Sequence, residues 1–162
     1  MKVLYWTGLI VVVDQASKLF VKGGFTLPII GYCPGMEIGT SIPVLGDFFR
    51  LTFIENPGMA FGIDVGGKLF LTMFSTLASI GILYYLFKIR DEALVIRVSL
   101  AMILGGAIGN LIDRVFYGIL FGDGPLFYGK VVDFLDVDFF NVSFAGFHIS
   151  RWPIFNVADA AV

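Results

Sequence analysis

The chain has 162 residues and a mass of 17.8 kDa, which is enough for one domain. Hydrophobic residues make up 57% of it and charged residues only 15%, whereas soluble domains average about 25% charged residues. The mean hydropathy of +0.89 excludes a disordered chain and an ordinary soluble globule, whose surface needs more polar cover. The net charge of −2 gives no electrostatic basis for binding nucleic acid. The composition therefore predicts an integral membrane protein.

Three apolar segments are long enough to cross a bilayer, which takes about 20 residues. They cover residues 3–21, 69–87 and 94–112, and the second contains no charged residue. The first segment starts like a signal peptide but lacks a cleavage site with small residues, so we expect it to stay as a helix. We predict one integral membrane domain over residues 1–162 with these three transmembrane helices.

The orientation follows from the charges around the turn between the second and third segments. Lys88, Arg90 and Arg97 lie there, and short loops rich in Lys and Arg remain in the cytoplasm. The stretches 23–68 and 113–155 are then outside. Most of the thirteen acidic residues lie in or just after these stretches, so we expect the chemistry on the outer face.

The outer stretches contain signs of strands and of an interfacial segment. Apolar residues alternate over residues 49–53, and Asn56-Pro57-Gly58 is a turn signal. This pattern predicts a β-hairpin or a small curved sheet. Residues 138–152 are rich in aromatic side chains, which favour the level of the lipid headgroups.

Ionisable residues within predicted spans are costly and therefore suggest function. Asp14 and Lys18 are four residues apart on one helix face, a spacing that favours an ion pair with Lys18 extending to water. We interpret this pair first as structural support. Near the outer end of the third span, one helix face presents three more polar residues, namely Asn110, Asp113 and Arg114.

Two features of the third span have open interpretations at this point. Arg114 either holds a substrate group through charge-assisted hydrogen bonds or pairs with Asp113. Gly105 and Gly109 have the spacing that lets another helix approach closely, and such glycines usually serve packing.

Asp133 and Asp159 each stand in an apolar sequence. They are far apart in the chain, so only the tertiary fold could bring them together. Two carboxylates in a partly dry site cannot easily both ionise, and by sharing a proton one acts as a base and the other as an acid on a bound water. The simpler interpretation of Asp159 alone is a cap of a final helix.

Taken together, these segments resemble the lipoprotein signal peptidases (signal peptidase II), the membrane aspartyl peptidases of bacteria. The resemblance is carried by five blocks in the family's order: Asp14-Gln15-Ala16-Ser17-Lys18, Asn56-Pro57-Gly58-Met59-Ala60-Phe61-Gly62, Gly105-Gly106-Ala107-Ile108-Gly109-Asn110-Leu111-Ile112-Asp113-Arg114, Val131-Val132-Asp133-Phe134 and Phe155-Asn156-Val157-Ala158-Asp159. Each block is weak alone, but the set spans nearly the whole chain and is specific.

The resemblance implies an aspartic endopeptidase of the bacterial inner membrane whose site faces the extracytoplasmic side. The family removes the signal peptide from prolipoproteins just before a cysteine that carries a diacylglyceryl group. Asp133 and Asp159 match its catalytic pair. Other positions match residues that line or support the site, namely Asn56, Asn110, Arg114, Asn156, Asp14, Lys18 and Asp113. The resemblance implies no metal and no cofactor, and we expect a monomer whose partners are these substrates and membrane lipid.

The implied fold is a four-helix membrane bundle with an extracytoplasmic β-cradle and a short interfacial helix. This sequence departs from it in two places. Residues 116–130 are longer than usual and read as an extra outer loop. The fourth helix should start near residue 156, and the sequence given stops at Val162. With three of the four helices present, we expect Asp159 to be poorly held and the activity of these 162 residues to suffer.

Two rival functions are compatible with parts of the sequence. A carboxylate metal site would use Asp133, Asp136 and Asp138 with His148, although Asp136 and Asp138 read more simply as solvated residues. A small transporter or proton-pathway subunit would instead use Asp14, Lys18 and Asp113. The single cysteine, Cys33, has no evident histidine partner and is not expected to act as a nucleophile.

Overall fold

The structure is a computed structural model that describes residues 2–29, 31–60, 63–64, 67–138, 142–144, 147–149 and 151–162. Two residues of the second motif, Phe61 and Gly62, lie outside the described residues. The same holds for several positions of the aromatic segment predicted at the membrane interface, namely residues 139–141, 145–146 and 150.

Three long apolar helices lie where the hydropathy predicts them. They are α1 (Leu4–Lys22), α2 (Gly67–Lys88) and α3 (Leu94–Ile112), and the bounds of each differ from the prediction by at most two residues. By length and composition each can cross a membrane. The three predicted helices are therefore present, and each is a candidate transmembrane span.

The third helix does not end at Ile112. A five-residue π-helix (Asp113–Tyr117) and a short α4 (Gly118–Leu120) continue it, which gives an apolar helical stretch from Leu94 to Leu120. Residues 113–120, which the sequence analysis assigns to the outer region, thus continue the helix, because the apolar residues after Arg114 sustain it for two more turns. Single-turn π-helices are frequent at functional sites, and this one carries Asp113 and Arg114.

Short strands make up the rest of the described fold. A three-stranded sheet has the order β3 (Ser41–Leu45), β4 (Phe49–Asn56) and β7 (Val131–Val137). The remaining strands form two-stranded antiparallel pairs: β1 (Phe25–Leu27) with β2 (Gly31–Cys33), β5 (Met59–Ala60) with β6 (Ile63–Asp64), and β8 (Val142–Phe144) with β9 (Phe147–Ile149). Of the two predicted alternatives for residues 48–63, the small sheet forms, because β4 pairs with β3 and β7.

The predicted turn between β4 and β5 is present. The backbone N–H of Gly58 donates a hydrogen bond of 2.9 Å to Oδ1 of Asn56, and Gly58 has a φ of 110°, which only glycine adopts readily.

The chain divides into two compact units. The first contains Met1–Ser17, Asn56–Val131 and Val157–Val162, and thus most of the helical residues. The second contains Lys18–Glu55 and Val132–Asn156, and thus the three-stranded sheet. In the first unit, a buried apolar cluster links α1, α2 and α3 through Val3, Leu86, Ala101 and Leu104.

The glycines of α3 create close contacts within the first unit. A Cβ atom on Gly105 would lie 2.9 Å from Cβ of Ile10 in α1, and one on Gly106 would lie 2.3 Å from the carbonyl oxygen of Ala158. On Gly109 it would lie 2.6 Å from Oδ2 of Asp14. The glycine face of α3 is therefore a packing face for α1 and for the short α5 (Val157–Ala160), as its spacing predicts.

Candidate active site

Asp159 lies on α5 and is exposed to solvent. Its Oδ1 accepts a hydrogen bond of 2.7 Å from the side-chain amide of Asn110, which lies on α3. Ala158 precedes it and is fully buried against Gly106 and Gly109. The hydrogen bond from Asn110 and the packing of α5 on α3 thus both help to fix the carboxylate of Asp159.

Asp14 holds the start of α5 in place. Its Oδ1 accepts a hydrogen bond of 2.9 Å from the backbone N–H of Ala158, and its side chain is fully buried. The first N–H groups of a helix have no partner within that helix, so a carboxylate from another helix satisfies one of them. Asp14 therefore bonds to the residue directly before Asp159, which is a contact through which it could support that acid, as the sequence analysis expects.

Lys18, the other member of the first motif, is fully buried. The expectation that this ammonium group extends to water is therefore wrong.

Gln15 connects the polar residues of α1 and of the extended third helix. Its side-chain Nε2 lies 3.1 Å from Oδ2 of Asp14 and 2.9 Å from Oδ1 of Asp113, which is itself fully buried. The same nitrogen lies 3.1 Å from the carbonyl oxygen of Gly109. The hydroxyl of Tyr117 in turn donates to Oε1 of Gln15 at 3.1 Å. One carboxamide thus joins the acid that caps α5 to the acid that begins the π-helix.

Sequence reasoning missed both Gln15 and Tyr117 as site-supporting residues. Gln15 had a signal, since it stands inside the first motif. Tyr117 had none, because its hydroxyl reaches Gln15 from the π-helix and no periodicity of the sequence predicts that element. Asp113, which the sequence places on one helix face with Asn110 and Arg114, is a member of the same hydrogen-bonded group.

Asp133 lies in the second unit, in the middle of β7, and is only 2% exposed between Val132 and Phe134. Its Oδ1 accepts a hydrogen bond of 2.6 Å from the side-chain amide of Asn156, which is fully buried. The contact has a backbone origin, because Phe155 forms an antiparallel bridge with Leu135 of β7. That bridge places the following residue, Asn156, beside the strand that carries Asp133.

Asp136 does not behave as a solvated acid. Asp136 is buried, and its two carboxylate oxygens each accept a bond of 2.7 Å, one from Nε of Arg151 and one from Oγ1 of Thr52. Nη1 of Arg151 also lies 3.7 Å from Oδ2 of Asp138. The hydrogen bond to Asp136 raises the pKa of the Arg151 guanidinium further above its ordinary value, so this arginine stays charged. The solvated interpretation is therefore wrong for Asp136.

These contacts also bear on the rival metal site. Side chains alternate between the two faces of a strand, so Asp133 and Asp136, three residues apart in β7, point to opposite faces. Within the residues that the structure describes, no group of three His, Cys, Asp or Glu residues is arranged to hold a metal ion. The arrangement favours an ion pair between Asp136 and Arg151 over a shared cation site.

Asn56, the matching residue of the second motif, lies at the end of β4 in the turn before β5, where it is half-buried. In the second unit, the residue before it, Glu55, forms a buried ion pair with Lys22 at the end of α1. This ion pair fixes the end of β4, where Asn56 is the last residue. Sequence reasoning missed it, since the two residues are distant in the chain.

A family model described as signal peptidase II matches residues 6–162. The chain belongs to the signal peptidase II family. Two relatives named lipoprotein signal peptidase, from Syntrophus aciditrophicus and Desulfitobacterium hafniense, are each 36% identical to it. The alignments cover 98% and 96% of this chain and 83% and 81% of the relatives, respectively.

Two solved structures have a similar fold. Both are described as bacterial membrane enzymes determined by the in meso method, at 2.3 Å and 1.9 Å resolution. Their TM-scores are 0.71 and 0.68 at 29% identity, and the alignments cover 99% of this chain and 79% and 84% of theirs. The likeness extends over nearly the whole of this chain.

Membership of the signal peptidase II family makes this chain a membrane aspartyl endopeptidase of the lipoprotein-processing type. Its three long apolar helices make it a multi-pass membrane protein. The predicted family, reaction class and function are confirmed. The rival interpretation as a transporter or proton-pathway subunit gains no support from the relatives.

Proposed function

We propose that Asp133 and Asp159 are the catalytic pair of this peptidase, and that it cuts prolipoproteins just before a cysteine carrying a diacylglyceryl group. The observation that carries this assignment is a shared one: each carboxylate accepts a hydrogen bond from an asparagine amide. Asn156 donates to Asp133 at 2.6 Å, and Asn110 donates to Asp159 at 2.7 Å. An amide donor orients a carboxylate without adding a competing charge or proton-transfer group.

The connection of the chain supports the pairing of the two aspartates. Asn156, which bonds to Asp133, precedes Asp159 by three residues. Three residues of fully extended chain span at most about 11 Å, and helical residues span less. Asp159 is thus tethered near the partner of Asp133, although the two acids are distant in sequence.

The chemistry follows from two carboxylates that share one proton. The ionised carboxylate takes a proton from a water molecule, which attacks the carbonyl carbon of the scissile peptide bond. The protonated carboxyl donates a hydrogen bond to the carbonyl oxygen and stabilises the developing negative charge. When the tetrahedral intermediate collapses, the proton taken from the water passes to the leaving amine of the lipidated cysteine.

The remaining site residues take supporting roles in this proposal. Arg114 is the second residue of the π-helix. It binds a polar group of the substrate through charge-assisted hydrogen bonds. Asn56 binds substrate backbone from the turn after β4, while Asp14, Lys18 and Asp113 support the site. The enzyme acts as a monomer in the bacterial inner membrane, with its site near the extracytoplasmic face, where the acyl chains of the substrate remain in the bilayer.

The experiment that tests this function is a cleavage assay with a defined substrate pair. The protein is reconstituted in lipid and given a prolipoprotein either with a diacylglyceryl group on its cysteine or with that cysteine replaced by serine. We expect mass spectrometry to show a product that begins with the lipidated cysteine, and no cleavage of the serine substrate. Equal cleavage of both substrates, or a cut elsewhere, would overturn the proposed specificity.

A chelator arm separates the proposed mechanism from the rival metal site. We expect EDTA to leave the rate unchanged, because two carboxylates activate the water without a metal ion. A rate that falls with EDTA and returns with added Mg²⁺ or Ca²⁺ would contradict the aspartyl mechanism while leaving the substrate assignment intact.

A further inference from the structure

The third apolar helix is longer than a hydrocarbon core requires. Its stretch from Leu94 to Leu120 contains 27 residues, which at 1.5 Å per residue extend about 40 Å, against about 30 Å of hydrocarbon. A typical tilt of about 20° shortens that projection only slightly. Because Arg90 lies in the turn before this helix and Arg97 in its first turn, the charged end is fixed and the excess length falls at the other end, which carries the π-helix and α4.

The side chains at this end are apolar and exposed. On the helix, Phe116, Ile119 and Leu120 share one face, since they are spaced by three and four residues. On the loop that follows, Leu126, Phe127 and Tyr128 are consecutive. Each of these six side chains exposes between 39% and 68% of its surface. Together they form an exposed apolar surface, here called the aromatic shelf, at the end of the helical stretch that begins at Leu94.

Backbone hydrogen bonds hold the loop at the level of the helix end. The N–H groups of Gly124, Phe127 and Gly129 donate to the carbonyl oxygens of Gly118, Val115 and Arg114, at 3.0, 3.1 and 2.9 Å. The approach is close enough that a Cβ atom on Gly129 would lie 2.0 Å from the carbonyl oxygen of Asp113. Of the extra loop predicted at residues 116–130, residues 116–120 are instead helical, and the part after Leu120 is folded back on the last turns of that helix.

Phe127 occupies a strained backbone conformation in this loop. Its φ is 69°, the only positive value of a non-glycine residue in the described part of the chain. Such a conformation costs free energy for a bulky residue and persists only where the surroundings fix it. Here the N–H of Phe127 bonds to Val115, and its carbonyl oxygen lies 3.5 Å from Oγ1 of Thr72. The backbone of Phe127 is thus held in a strained conformation although its aromatic ring remains partly exposed.

We propose that the aromatic shelf of residues 116–128 is a membrane anchor that lies at the level of the lipid headgroups and upper acyl chains. Aromatic side chains favour this depth, where their apolar rings leave water without entering the hydrocarbon centre. The nearby ammonium group of Lys68, 3.4 Å from the carbonyl oxygen of Tyr128, suits contact with lipid phosphates. The surface lies at the end of a helix that is long and apolar enough to cross a membrane, so the bilayer is the partner that it fits.

The anchor has a structural consequence for the candidate site. The loop is bonded directly to Arg114 and Val115, so lipid contact by the shelf fixes the depth of the π-helix that carries Asp113 and Arg114. This role concerns the position of the protein in the bilayer and does not depend on which residues cleave the substrate.

The test measures depth with one fluorescent label at a time. In a Cys33→Ser background, which leaves no other cysteine, an NBD group is attached at Leu126→Cys. Reference labels are placed at Leu77→Cys, halfway along α2, and at Asp91→Cys, whose side chain is 92% exposed in the turn before α3. The protein is reconstituted in phosphatidylcholine vesicles containing lipids that are spin-labelled on the headgroup, near the carbonyl end of the acyl chain, or near its terminal methyl.

We expect the label at residue 126 to be quenched several-fold more by the upper-chain quencher than the label at residue 91. The label at residue 77 should be quenched most by the deepest spin label. Quenching at residue 126 no greater than at residue 91 would place the loop in water and overturn the anchor. A shielded label that no lipid quencher reaches would also overturn it, and would point to a protein partner.

A substitution at Phe127 removes the ring while keeping the backbone. Phe127→Asn suits a positive φ but presents a polar side chain. We expect this variant to reduce quenching of the label at residue 126 at least twofold, with an unchanged melting temperature. Phe127→Leu, which keeps an apolar side chain at the same position, is the matched control for lipid contact. Equal quenching in the Asn and wild-type proteins would exclude Phe127 as an anchoring residue.

Discussion

The two candidate catalytic aspartates are positioned in different ways. Asp133 lies inside a paired strand and is almost completely buried, and its partner Asn156 is held by the bridge between Phe155 and Leu135. Asp159 is exposed on a helix of only four residues and depends on residues of α1 and α3. Backbone pairing therefore fixes the first carboxylate, whereas buried polar side chains and glycine packing fix the second.

This difference predicts unequal sensitivity to substitution. An isolated helix of four residues is far too short to be stable, because the cost of nucleation exceeds the gain from its few hydrogen bonds. The position of Asp159 must then respond to any change in the residues that hold α5. The position of Asp133 should respond mainly to changes in its immediate amide partner.

Among the residues that hold the two acids in place, the largest effect is expected at the glycines beneath α5. In Gly106→Ala, the new methyl group would lie 2.3 Å from the carbonyl oxygen of Ala158, so α5 must move away from α3. Overpacking of this kind costs about 1–3 kcal/mol, and we expect a lower melting temperature and loss of most cleavage activity. The matched control is Gly81→Ala in α2, where nothing lies within 4 Å of the added atom. Equal tolerance of both substitutions would break the account of how Asp159 is held.

Asp14→Asn should have the next largest effect. The substitution keeps the shape but replaces the Oδ1 and Oδ2 acceptors, which bond to Ala158 N–H and to Gln15, with one acceptor and one donor. A buried group that loses its partner costs about 1–3 kcal/mol. We expect kcat to fall by roughly tenfold or more, with little change in KM, because the substitution displaces Asp159 and removes no substrate contact. An unchanged kcat would show that α5 is held without this cap.

The two asparagines allow a direct comparison of the two acids. We expect Asn156→Ala to lower both the melting temperature and kcat, because a fully buried amide is lost beside buried Asp133. Asn110→Ala should lower kcat by a similar factor, about tenfold to a hundredfold, with a smaller change in melting temperature, since Asp159 is exposed to water. Identical melting temperatures for the two variants would contradict the distinction between a buried and an exposed carboxylate.

The smallest effect is expected for Tyr117→Phe. This change removes one hydroxyl, which donates to Gln15 at 3.1 Å, and a single neutral hydrogen bond is worth about 1 kcal/mol. We predict a reduction of kcat by less than about tenfold at constant KM. Tyr128→Phe, on the exposed loop, is the control and should leave kcat unchanged. A Tyr117→Phe enzyme with wild-type kcat would remove the tyrosine from the positioning network.

Much of this architecture could be predicted from the sequence, because hydropathy and helical spacing act locally. The three spans, the packing role of Gly105 and Gly109, and the turn at Asn56 depend on short stretches of chain. The motif order also identified the family. The π-helix at Asp113 was not predictable in this way, since its residues satisfy an ordinary helical pattern equally well.

Contacts between distant residues account for the other errors. The burial of Asp136 depends on Arg151 and Thr52, which lie on either side of it in the sequence and meet it only in the folded protein. The link from Tyr117 to Gln15 similarly joins residues about a hundred positions apart. No composition or periodicity contains this information, whereas the family resemblance directs attention to the neighbouring motif residues.

The most direct test of the central claim replaces each proposed catalytic acid by its isosteric amide. Asp133→Asn and Asp159→Asn are assayed separately on diacylated prolipoprotein, and the melting temperature of each variant measures structural damage. We expect each aspartate variant to lose at least about a hundredfold in kcat, the range of general acid–base catalysis, while it remains folded. Normal turnover by either folded variant would contradict the assignment of Asp133 and Asp159 as the catalytic pair.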